Sequence, residues 1–297
     1  MELLSPAKVN LSLLVTGRRE DGYHDLVSLM CGVGLYDTIT LKRRRAGISL
    51  CCGTPGVPED ESNLAFRAAL LFFRETGLSG GCAIDLVKRI PHGAGLGGGS
   101  GNAATVLKGL NALYGAPLSD SRMEKVALEL GADVPFFVRL RPSVATGVGE
   151  ELDPVTLKGV YTLLIIYPGT GLSTAEVYKN LKLGLTKREK KIKSRLLNEA
   201  HIDPLDVLHN DLEPPAMELS PLVGEARNTL EGVGADGVLM SGSGSSVFAL
   251  FRRAERADRA IRLLSKEKEG HPGLPGDWSL FKADLLTEPY SVGRPSE

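Results

Sequence analysis

The chain has 297 residues, of which 42% are hydrophobic and 24% charged, the balance of a soluble protein with a substantial core. Lys and Arg total 35 against 36 Asp and Glu, and this near-neutral charge argues against a dedicated nucleic-acid-binding protein. No apolar run approaches the roughly 20 residues of a membrane-spanning helix, no signal-peptide pattern is present, and the four cysteines form no C-x-x-C pair, so we expect a cytoplasmic protein without membrane contact.

The first half of the chain contains both strand and helix patterns. Alternating, β-branched segments predict strands at residues 9–15, 37–41, 47–51 and 82–88. Apolar residues at helical spacing predict helices at residues 64–75, 103–114 and 122–130. Asn63 precedes the first helix as a candidate N-cap, and Gly131 follows the third as a stop signal.

The second half has the same mixture of elements. Strands are predicted at residues 161–167, 238–240, 247–251 and 281–285, and helices at 186–200, 221–230 and 254–264. The order lacks the regular alternation of a doubly wound sheet, so the class predicted is α+β. Gly and Pro residues after position 141 place a domain boundary near residue 155, which divides the chain into residues 1–155 and 156–297.

The most informative segment joins a predicted strand to a predicted helix at residues 91–104. Six of the nine residues from Gly93 to Gly101 are glycines, and ordering each of them costs backbone entropy. Glycine allows backbone N–H groups to approach an anion closely, and a helix N-terminus adds its dipole. The segment therefore predicts a cradle for phosphate oxygens.

A Walker A loop, a dinucleotide-binding site and a flexible hinge account less well for these glycines. A Walker A loop needs a lysine after its second glycine, and none follows Gly98 or Gly99. Gly93, Gly95 and Gly98 match G-x-G-x-x-G, but the preceding strand is not the first and no acidic residue ends a following βαβ unit. A flexible hinge needs no ligand at all. We favour a triphosphate site, because Ser100 supplies a hydroxyl where Mg²⁺ or a phosphate would bind.

Three motifs together resemble the GHMP kinase superfamily. Residues 91–103 match its pattern Pro-x-x-x-Gly-Leu-Gly-Gly-Gly-Ser-Ser/Ala-x-Ala, residues 5–11 read Ser-Pro-Ala-Lys-Val-Asn-Leu, and residues 238–248 contain Ser-Gly-Ser-Gly-Ser-Ser. Gly101 departs from the pattern, which weakens any role for a second hydroxyl after Ser100. The resemblance implies an N-terminal domain like ribosomal protein S5 domain 2, a ferredoxin-like C-terminal domain and an active site in the cleft between them.

Four further segments resemble those members of the superfamily that phosphorylate a hydroxyl of a tetrol linked to cytidine diphosphate. These segments are residues 16–24, 61–64, 131–137 and 209–213. The implied ligands are ATP, Mg²⁺ and a small cytidine-diphosphate-linked substrate, with no nucleic-acid, membrane or protein partner. The alternatives are another GHMP kinase, of the homoserine or mevalonate type, and a non-enzymatic S5-like nucleic-acid-binding protein.

The resemblance assigns the catalytic roles to Lys8 and Asp133. Asp133 would accept the proton of the acceptor hydroxyl, although its place before Val134 and Pro135 also suits a helix N-cap. Lys8, at the start of a strand, would pair with Asp133 and polarise the attacking oxygen.

The resemblance also implies the binding residues. The substrate would be held by Asn10, Tyr23, His24, Thr174 and Tyr178, with the base recognised by Tyr23 and His24 and enclosed by Tyr178 from the other domain. ATP would be bound by Asn63, Pro91, His92, Gly93, Ala94, Gly95, Leu96, Gly97, Gly98, Gly99, Ser100 and Gly101. Asn63 also suits a plain N-cap, and Tyr178 a core position. Ser100 is the candidate protein ligand for Mg²⁺, and residues 209–211 fit no standard metal-ligand spacing and predict a structural turn.

Overall fold

The computed structural model describes residues 1–182, 187–265 and 274–288. Its strands are β1 Glu2–Arg18, β2 His24–Arg44, β3 Gly47–Cys51, β4 Gly81–Val87, β5 Ser143–Thr146, β6 Glu151–Pro154, β7 Thr156–Leu157, β8 Thr162–Tyr167, β9 His201–Ile202, β10 His209–Asn210, β11 Gly237–Met240, β12 Val247–Phe251 and β13 Ser279–Leu286. Its helices are α1 Leu64–Thr76, α2 Gly98–Leu113, α3 Asp120–Leu128, α4 Val134–Arg139, α5 Thr174–Lys179, α6 Lys187–Asn198, α7 Pro204–Val207, α8 Glu213–Leu219, α9 Pro221–Gly232 and α10 Ala254–Leu264. The predicted α+β class is confirmed. Residues 183–186, 266–273 and 289–297 of the predicted second domain lie outside the described residues, and they include residue 186 of one predicted helix.

Strands β1 and β2 form a long antiparallel hairpin. The sequence predicted only residues 9–15 of β1 and 37–41 of β2. The polar segment from Thr16 to Asp25 and the largely apolar segment 26–36 show no strand alternation. Gly22, with φ +87°, supplies the left-handed residue of the turn. Alternation along β1 places Lys8 and Asn10 on one face, which is the geometry that a shared site needs.

The eleven-stranded sheet of the described residues has the main order β10-β1-β2-β13-β8-β12-β11. Strand β13, near the C-terminus, lies between β2 of the first half and β8 of the second, and it pairs antiparallel with both. The two halves are therefore joined through one shared strand. The domain boundary near residue 155 remains a prediction.

Helices α1 and α2 pack together over β2 and β4 and cover one apolar cluster. Small residues along α2, such as Ala103 and Ala104, are fully buried and allow close packing. Phe72 of α1 is fully buried in the same cluster, where the burial of its ring contributes about 1.5–3 kcal/mol. This packing holds the N-terminus of α2, where the glycine-rich segment ends, in a fixed position.

Candidate active site

A cleft of about 910 Å³ lies where β1, the glycine-rich segment and the loop after β11 meet. The predicted site residues that line it are Lys8, Asn10, Tyr23, His24, Gly93, Gly95, Gly97, Ser100, Asp133, Thr174 and Tyr178. Both catalytic candidates and all five substrate-binding candidates are thus brought together from separate segments of the chain.

Helix α2 begins at Gly98, five residues earlier than the sequence predicted, and Gly97 is its N-cap with φ +68°. Gly98, Gly99 and Ser100 therefore form the first helical turn, in which backbone N–H groups have no acceptor within the helix. Gly99 is exposed, and a Cβ built on it meets only Leu64 Cδ1, at 3.6 Å. Free N–H groups and the helix dipole are the features that a phosphate cradle needs, and phosphate binding at this turn stays a prediction.

Several of these glycines are required by neighbouring protein atoms rather than by a ligand. A Cβ on Gly95 would lie 2.1 Å from the backbone oxygen of Ser241, and one on Gly98 would lie 2.9 Å from Ile90 Cγ2. At Gly101 the Cβ would lie 2.7 Å from the oxygen of Pro6, so the small side chain of the family pattern does not fit at this position in this chain. Close packing therefore accounts for part of the glycine content. Gly99, in contrast, is exposed beside Leu64 and Ser100, which line the cleft.

The Lys8 ammonium group lies 3.3 Å from Asp133 Oδ2. The Lys8 side chain is 5% exposed and the Asp133 side chain 39%. The carboxylate is therefore accessible from the cleft, whereas the cation that it pairs with is buried. Asp133 occupies the N-cap position of α4, but its side chain makes no capping hydrogen bond. The carboxylate is therefore available for chemistry, and the interpretation of Asp133 as a helix cap is wrong as far as its side chain is concerned.

A chain of hydrogen bonds fixes the orientation of Lys8. Its Nζ atom donates to Asn10 Oδ1 at 2.6 Å, Asn10 Nδ2 donates to Ser28 Oγ at 2.7 Å, and Ser28 Oγ donates to the Ser12 oxygen at 2.7 Å. All four residues are buried. Sequence analysis missed Ser28 because its partner Asn10 lies on another strand, and only the β1–β2 register brings the two together.

The aromatic candidates lie at the other end of the cleft. Asp21 Oδ1 accepts a hydrogen bond from the Tyr23 backbone N–H at 3.0 Å, which holds Tyr23 at the tip of the turn with 64% of its surface exposed. The rings of His24 and Tyr178 are stacked, with centroids 4.9 Å apart. A base between two rings needs a gap of roughly 7 Å, twice a carbon–carbon contact distance, so no base fits between His24 and Tyr178 as they lie here.

Electrostatics at this end favour a neutral imidazole. Partial burial, followed by the positive charge of Arg18, lowers the pKa of His24 below its usual 6.5. Burial, with smaller effects from Asp133 and Asp211, raises the pKa of Tyr178 to about 12. Near neutral pH both rings are therefore uncharged, as stacking on a base and hydrogen bonding to it require.

Two cations of the cleft were not predicted. Arg18, at the end of β1, and Lys179, at the end of α5, both line the cleft, and neither has an acidic partner among the described residues. Together with Lys8 they outnumber Asp133, which gives the cleft the positive charge that a polyphosphate ligand needs. Arg18 lies in segment 16–24, which contributes to the family resemblance. Nothing in the sequence distinguishes it from an ordinary surface arginine.

The small hydroxyl group of Thr174 joins the two sides of the cleft. Thr174 Oγ1 lies 2.8 Å from Ser243 Oγ in the loop after β11, and Ser173 caps α5 by accepting from Glu176 N. Thr174 thus lies in a position to contact a substrate. Ser243 belongs to the 242–246 loop, which the family resemblance places at the cleft as a candidate contact to substrate phosphates, and its lining of the cleft agrees with that placement.

Several ATP-binding candidates lie outside the wall of the cleft. Asn63 is the N-cap of α1: its Oδ1 accepts from Ala65 N at 2.9 Å and its Nδ2 donates to Pro58 O at 2.7 Å. These structural bonds occupy both ends of the amide. The remaining candidates that do not line the cleft are Pro91, His92, Ala94, Leu96, Gly98, Gly99 and Gly101, of which Ala94, Leu96, Gly98 and Gly101 are buried.

A buried ion pair supports the glycine-rich segment from beneath. Lys88 Nζ contacts Asp37 Oδ2 and donates to Asn102 Oδ1 at 3.0 Å, and Asp37 Oδ1 accepts from the backbone N–H groups of Arg89 and Ile90. The network joins β2, the end of β4 and α2. It fixes both ends of the segment before any ligand binds.

Comparison with known proteins agrees with this geometry. Residues 63–139 match the family described as GHMP kinases N terminal domain, and residues 190–269 match GHMP kinases C terminal. A 4-diphosphocytidyl-2-C-methyl-D-erythritol kinase of Desulfotalea psychrophila is 42% identical over 272 residues, covering 89% of this chain and 91% of the relative. The chain belongs to the 4-diphosphocytidyl-2-C-methyl-D-erythritol kinase family. The predicted GHMP kinase fold and the predicted kinase activity are confirmed.

Two solved structures have similar TM-scores but very different sequence identities to this chain. The crystal structure of a 4-(cytidine 5'-diphospho)-2C-methyl-D-erythritol kinase superposes with a TM-score of 0.77 at 38% identity, covering 96% of this chain and 99% of the other. A homoserine kinase from Cytophaga hutchinsonii reaches a TM-score of 0.75 at only 18% identity, covering 97% and 95%. The second likeness shows the shared GHMP fold alone, so identity places the chain with the 4-diphosphocytidyl-2-C-methyl-D-erythritol kinases.

The cleft offers limited protein ligands for a divalent cation. Within residues 1–182, 187–265 and 274–288, His, Cys, Asp and Glu side chains close enough to share one ion occur only at Glu189, His209 and Asp211, which do not line the cleft. Ser100 does line it, and its hydroxyl makes no hydrogen bond to a described residue. The residues therefore fit an ion carried mainly by the phosphates of ATP, with Ser100 as a supplementary ligand. None of the described helices is long and apolar enough to cross a membrane.

Proposed function

We propose that this kinase transfers the γ-phosphoryl group of ATP to the 2-hydroxyl of 4-diphosphocytidyl-2-C-methyl-D-erythritol, a step of non-mevalonate isoprenoid precursor synthesis. The observation that carries the proposal is the Lys8–Asp133 pair, which lies in the same cleft as the first turn of α2 and the aromatic cluster. Such a reaction needs three parts: a phosphate cradle, a proton acceptor with a cation beside it, and a site for the cytosine ring. Sequence identity of 42% to a kinase of this name supports the same substrate.

In the proposed reaction Asp133 accepts the proton of the 2-hydroxyl as the oxygen attacks the γ-phosphorus. Phosphoryl transfer depends on positioning and electrostatics, so a carboxylate of modest basicity is sufficient. Lys8 stabilises the negative charge that develops on the attacking oxygen, and Asn10 holds Lys8 in place.

Residues of the first turn of α2 bind the phosphates of ATP, and we propose Mg²⁺ as the ion that accompanies them. When bound, such an ion would supply charge neutralisation to the phosphates. Ser100 Oγ is the side-chain atom of the loop that would bind it. Asp133 and Lys8 act on the acceptor oxygen and need no direct contact with the metal.

At the acceptor end we propose that the cytosine stacks on Tyr23, with neutral His24 bonding to its edge. His24 now covers one face of Tyr178, so a base enclosed by Tyr23 and Tyr178 requires rotation of His24 or use of the other Tyr178 face. Arg18 and Lys179 lie where they can neutralise the diphosphate of this substrate. Thr174 completes the proposed set of substrate contacts. We also propose that the protein is cytoplasmic.

Rival functions lack a supporting observation. A homoserine- or mevalonate-type acceptor has no base and gives no reason for aromatic side chains at one end of the cleft. A nucleic-acid-binding role would need a basic excess that the net charge of -1 does not provide.

The experiment that tests the proposal is ³¹P NMR of a reaction with ATP, Mg²⁺ and the cytidine substrate. Carbon 2 of this substrate carries a methyl group and no hydrogen, so its phosphate ester shows no three-bond proton coupling. We expect ADP, an intact diphosphate and a new uncoupled phosphomonoester resonance. A coupled resonance, or ADP released without an ester, would show that the acceptor position or the substrate is wrong.

A further inference from the structure

Asn210 lies on β10 in a segment that the sequence analysis interpreted as a structural turn. Its side chain is buried, and its amide makes three hydrogen bonds. Nδ2 donates to the oxygens of Met240 at 2.9 Å and Gly242 at 2.8 Å, and Oδ1 accepts from Leu212 N at 2.9 Å. Both amide hydrogens and the amide oxygen are therefore used within the protein.

These bonds connect the two ends of the main sheet path, because β10 is the first strand of that path and β11 the last. Met240 ends β11: its oxygen accepts from Asn210, and its N–H donates to Glu213 Oε1 at 2.9 Å. Arg227 holds Glu213 by an ion pair of 2.6 Å. Side chains of the 210–213 segment thus replace the ladder hydrogen bonds that an edge strand lacks.

The loop that follows Met240, residues 241–246, supports the glycine-rich segment. Ser241 Oγ donates to the Gly95 oxygen at 3.0 Å, and Ser246 N donates to the Ala94 oxygen at 3.2 Å. The backbones are in such close contact that a Cβ on Gly95 would overlap the Ser241 oxygen. A shift of this loop must therefore move residues 94 and 95, which belong to the ATP side of the cleft.

The same loop also forms part of the wall of the cleft. Gly242, Ser243 and Gly244 line the cleft, and Ser243 contacts Thr174 on the acceptor side. The Gly242 backbone is held on one side by Asn210, and a Cβ built there would lie 3.4 Å from Asn10 Oδ1. One buried amide is thus connected to both substrate sites through a single short loop.

We propose that Asn210 is a positioning residue for phosphoryl transfer: it fixes the 241–246 loop and, through it, the geometry between the glycine-rich segment and the acceptor. The proposal rests on the kinase function given above. Asn210 does not line the cleft. Its removal should lower turnover because a small displacement of reacting groups costs about 10²-fold in rate.

The test compares Asn210→Asp with a matched control, Asn111→Asp. Asn111 is also buried, and its amide likewise holds a loop through two backbone bonds of 2.9 Å, to the N–H and the oxygen of Leu118, but it does not line the cleft. Aspartate keeps the shape and loses the donors, so both variants lose N–H···O bonds. We expect Asn210→Asp to lower kcat about 10- to 100-fold and to raise KM for ATP, whereas Asn111→Asp keeps both within about twofold of wild type at a temperature where both variants are folded.

Hydrogen exchange supplies a readout that does not depend on activity. Amides of residues 93–97 and 241–246 should exchange faster in Asn210→Asp than in wild type or Asn111→Asp. Equal kinetics and equal exchange in a folded Asn210→Asp protein would overturn the proposal, as would an equal loss of activity in Asn111→Asp. If the wild-type protein lacks kinase activity, the proposed function fails while the exchange result still decides the role of Asn210 in holding the loops.

Ser241→Ala tests the same connection from the other side and serves if Asn210→Asp does not fold. It removes only the hydroxyl bond to the Gly95 oxygen. We expect a smaller fall in kcat and faster exchange at residues 93–97. If Ser241→Ala leaves both unchanged, the loop does not determine the position of the glycine-rich segment and the proposal is wrong.

Discussion

Lys8 Nζ lies 3.3 Å from Asp133 Oδ2, and the two residues come from opposite ends of the N-terminal half of the chain. The lysine is buried while the carboxylate faces the cleft, so the pair presents a carboxylate base with a fixed cation behind it. This relationship supplies the first prediction about chemistry.

Asp133→Asn should lower kcat by roughly 10²–10⁴, the usual contribution of a general base. The amide keeps the size of the side chain, and Asp133 makes no capping bond whose loss could unfold α4. ATP affinity should stay nearly constant, because the phosphates bind to the first turn of α2. Steady-state kinetics and calorimetric ATP titration measure both quantities, and turnover close to wild type would rule out Asp133 as the base.

Gly99→Ala should weaken ATP binding in a folded protein. A methyl group at this exposed position meets only Leu64 within the protein. Gly99 is next to Ser100 and Leu64, which line the cleft, so under the proposed function the methyl group would obstruct the phosphates at the helix N-terminus. An overlap of one methyl group costs about 1–3 kcal/mol, which corresponds to roughly 5- to 150-fold in Kd. Gly232→Ala is the control, since this helical glycine has no neighbour within 4 Å and lies outside the cleft.

Calorimetry with ATP decides this prediction, and thermal unfolding confirms that both variants fold. Unchanged affinity in Gly99→Ala would mean that the phosphates do not contact this turn. Gly98 is unsuitable for the test because its Cβ would lie 2.9 Å from Ile90 and 3.1 Å from Lys88 Nζ, so that substitution disturbs the buried support of the loop.

Tyr23→Ala should weaken the cytidine substrate without affecting ATP. A stacked base contributes about 1–3 kcal/mol by alanine substitution, or roughly 5- to 150-fold in affinity. Tyr23 is 64% exposed, so truncation should cost little stability. Competition by CMP against the acceptor provides the measurement: it should be strong in wild type and weak in Tyr23→Ala, and absence of competition in wild type would exclude a cytosine site.

His24 should titrate below pH 6.5. Burial first, and the Arg18 charge second, lower its pKa, so the folded chain takes up the proton at a lower pH than the unfolded chain does. The free energy of unfolding therefore loses the contribution of this group as the pH falls from 6.5 through the lowered pKa. NMR of the ring protons should show this, and Arg18→Ala should raise the midpoint only partly. A midpoint at or above 6.5 in wild type would contradict the structural explanation.

The sequence predicted those parts of the site that lie within a short, recognisable motif. The roles of Lys8 and Asn10 came from the family resemblance, and alternation along one strand added only that the two side chains share a face. The glycine-rich segment stood out by its composition. The hairpin from Glu2 to Arg44 was only half predicted, because the polar residues near its turn are exposed and carry no strand pattern, and only pairing between the two strands extends them that far. The early start of α2 was missed because glycine disfavours a helix locally, while tertiary packing holds Gly98 and Gly101 in helical conformation.

The rest of the site could not be derived from the sequence because it depends on contacts between distant segments. Ser28 matters only through Asn10, and Asp37 only through Lys88. Gly95 was attributed to phosphate, yet the Ser241 backbone alone excludes a side chain there. Asn63 has its amide engaged at the start of α1, as its position before a predicted helix allowed.

The most direct test of the central claim is a coupled ADP-release assay with three acceptors: 4-diphosphocytidyl-2-C-methyl-D-erythritol, mevalonate and homoserine. All three GHMP kinase types use ATP, so only the acceptor separates them. With ATP and Mg²⁺ present, we predict acceptor-dependent ADP release for the cytidine substrate alone, at a rate abolished to near background in Asp133→Asn. Comparable release with mevalonate or homoserine, or none with the cytidine substrate, would contradict the assignment.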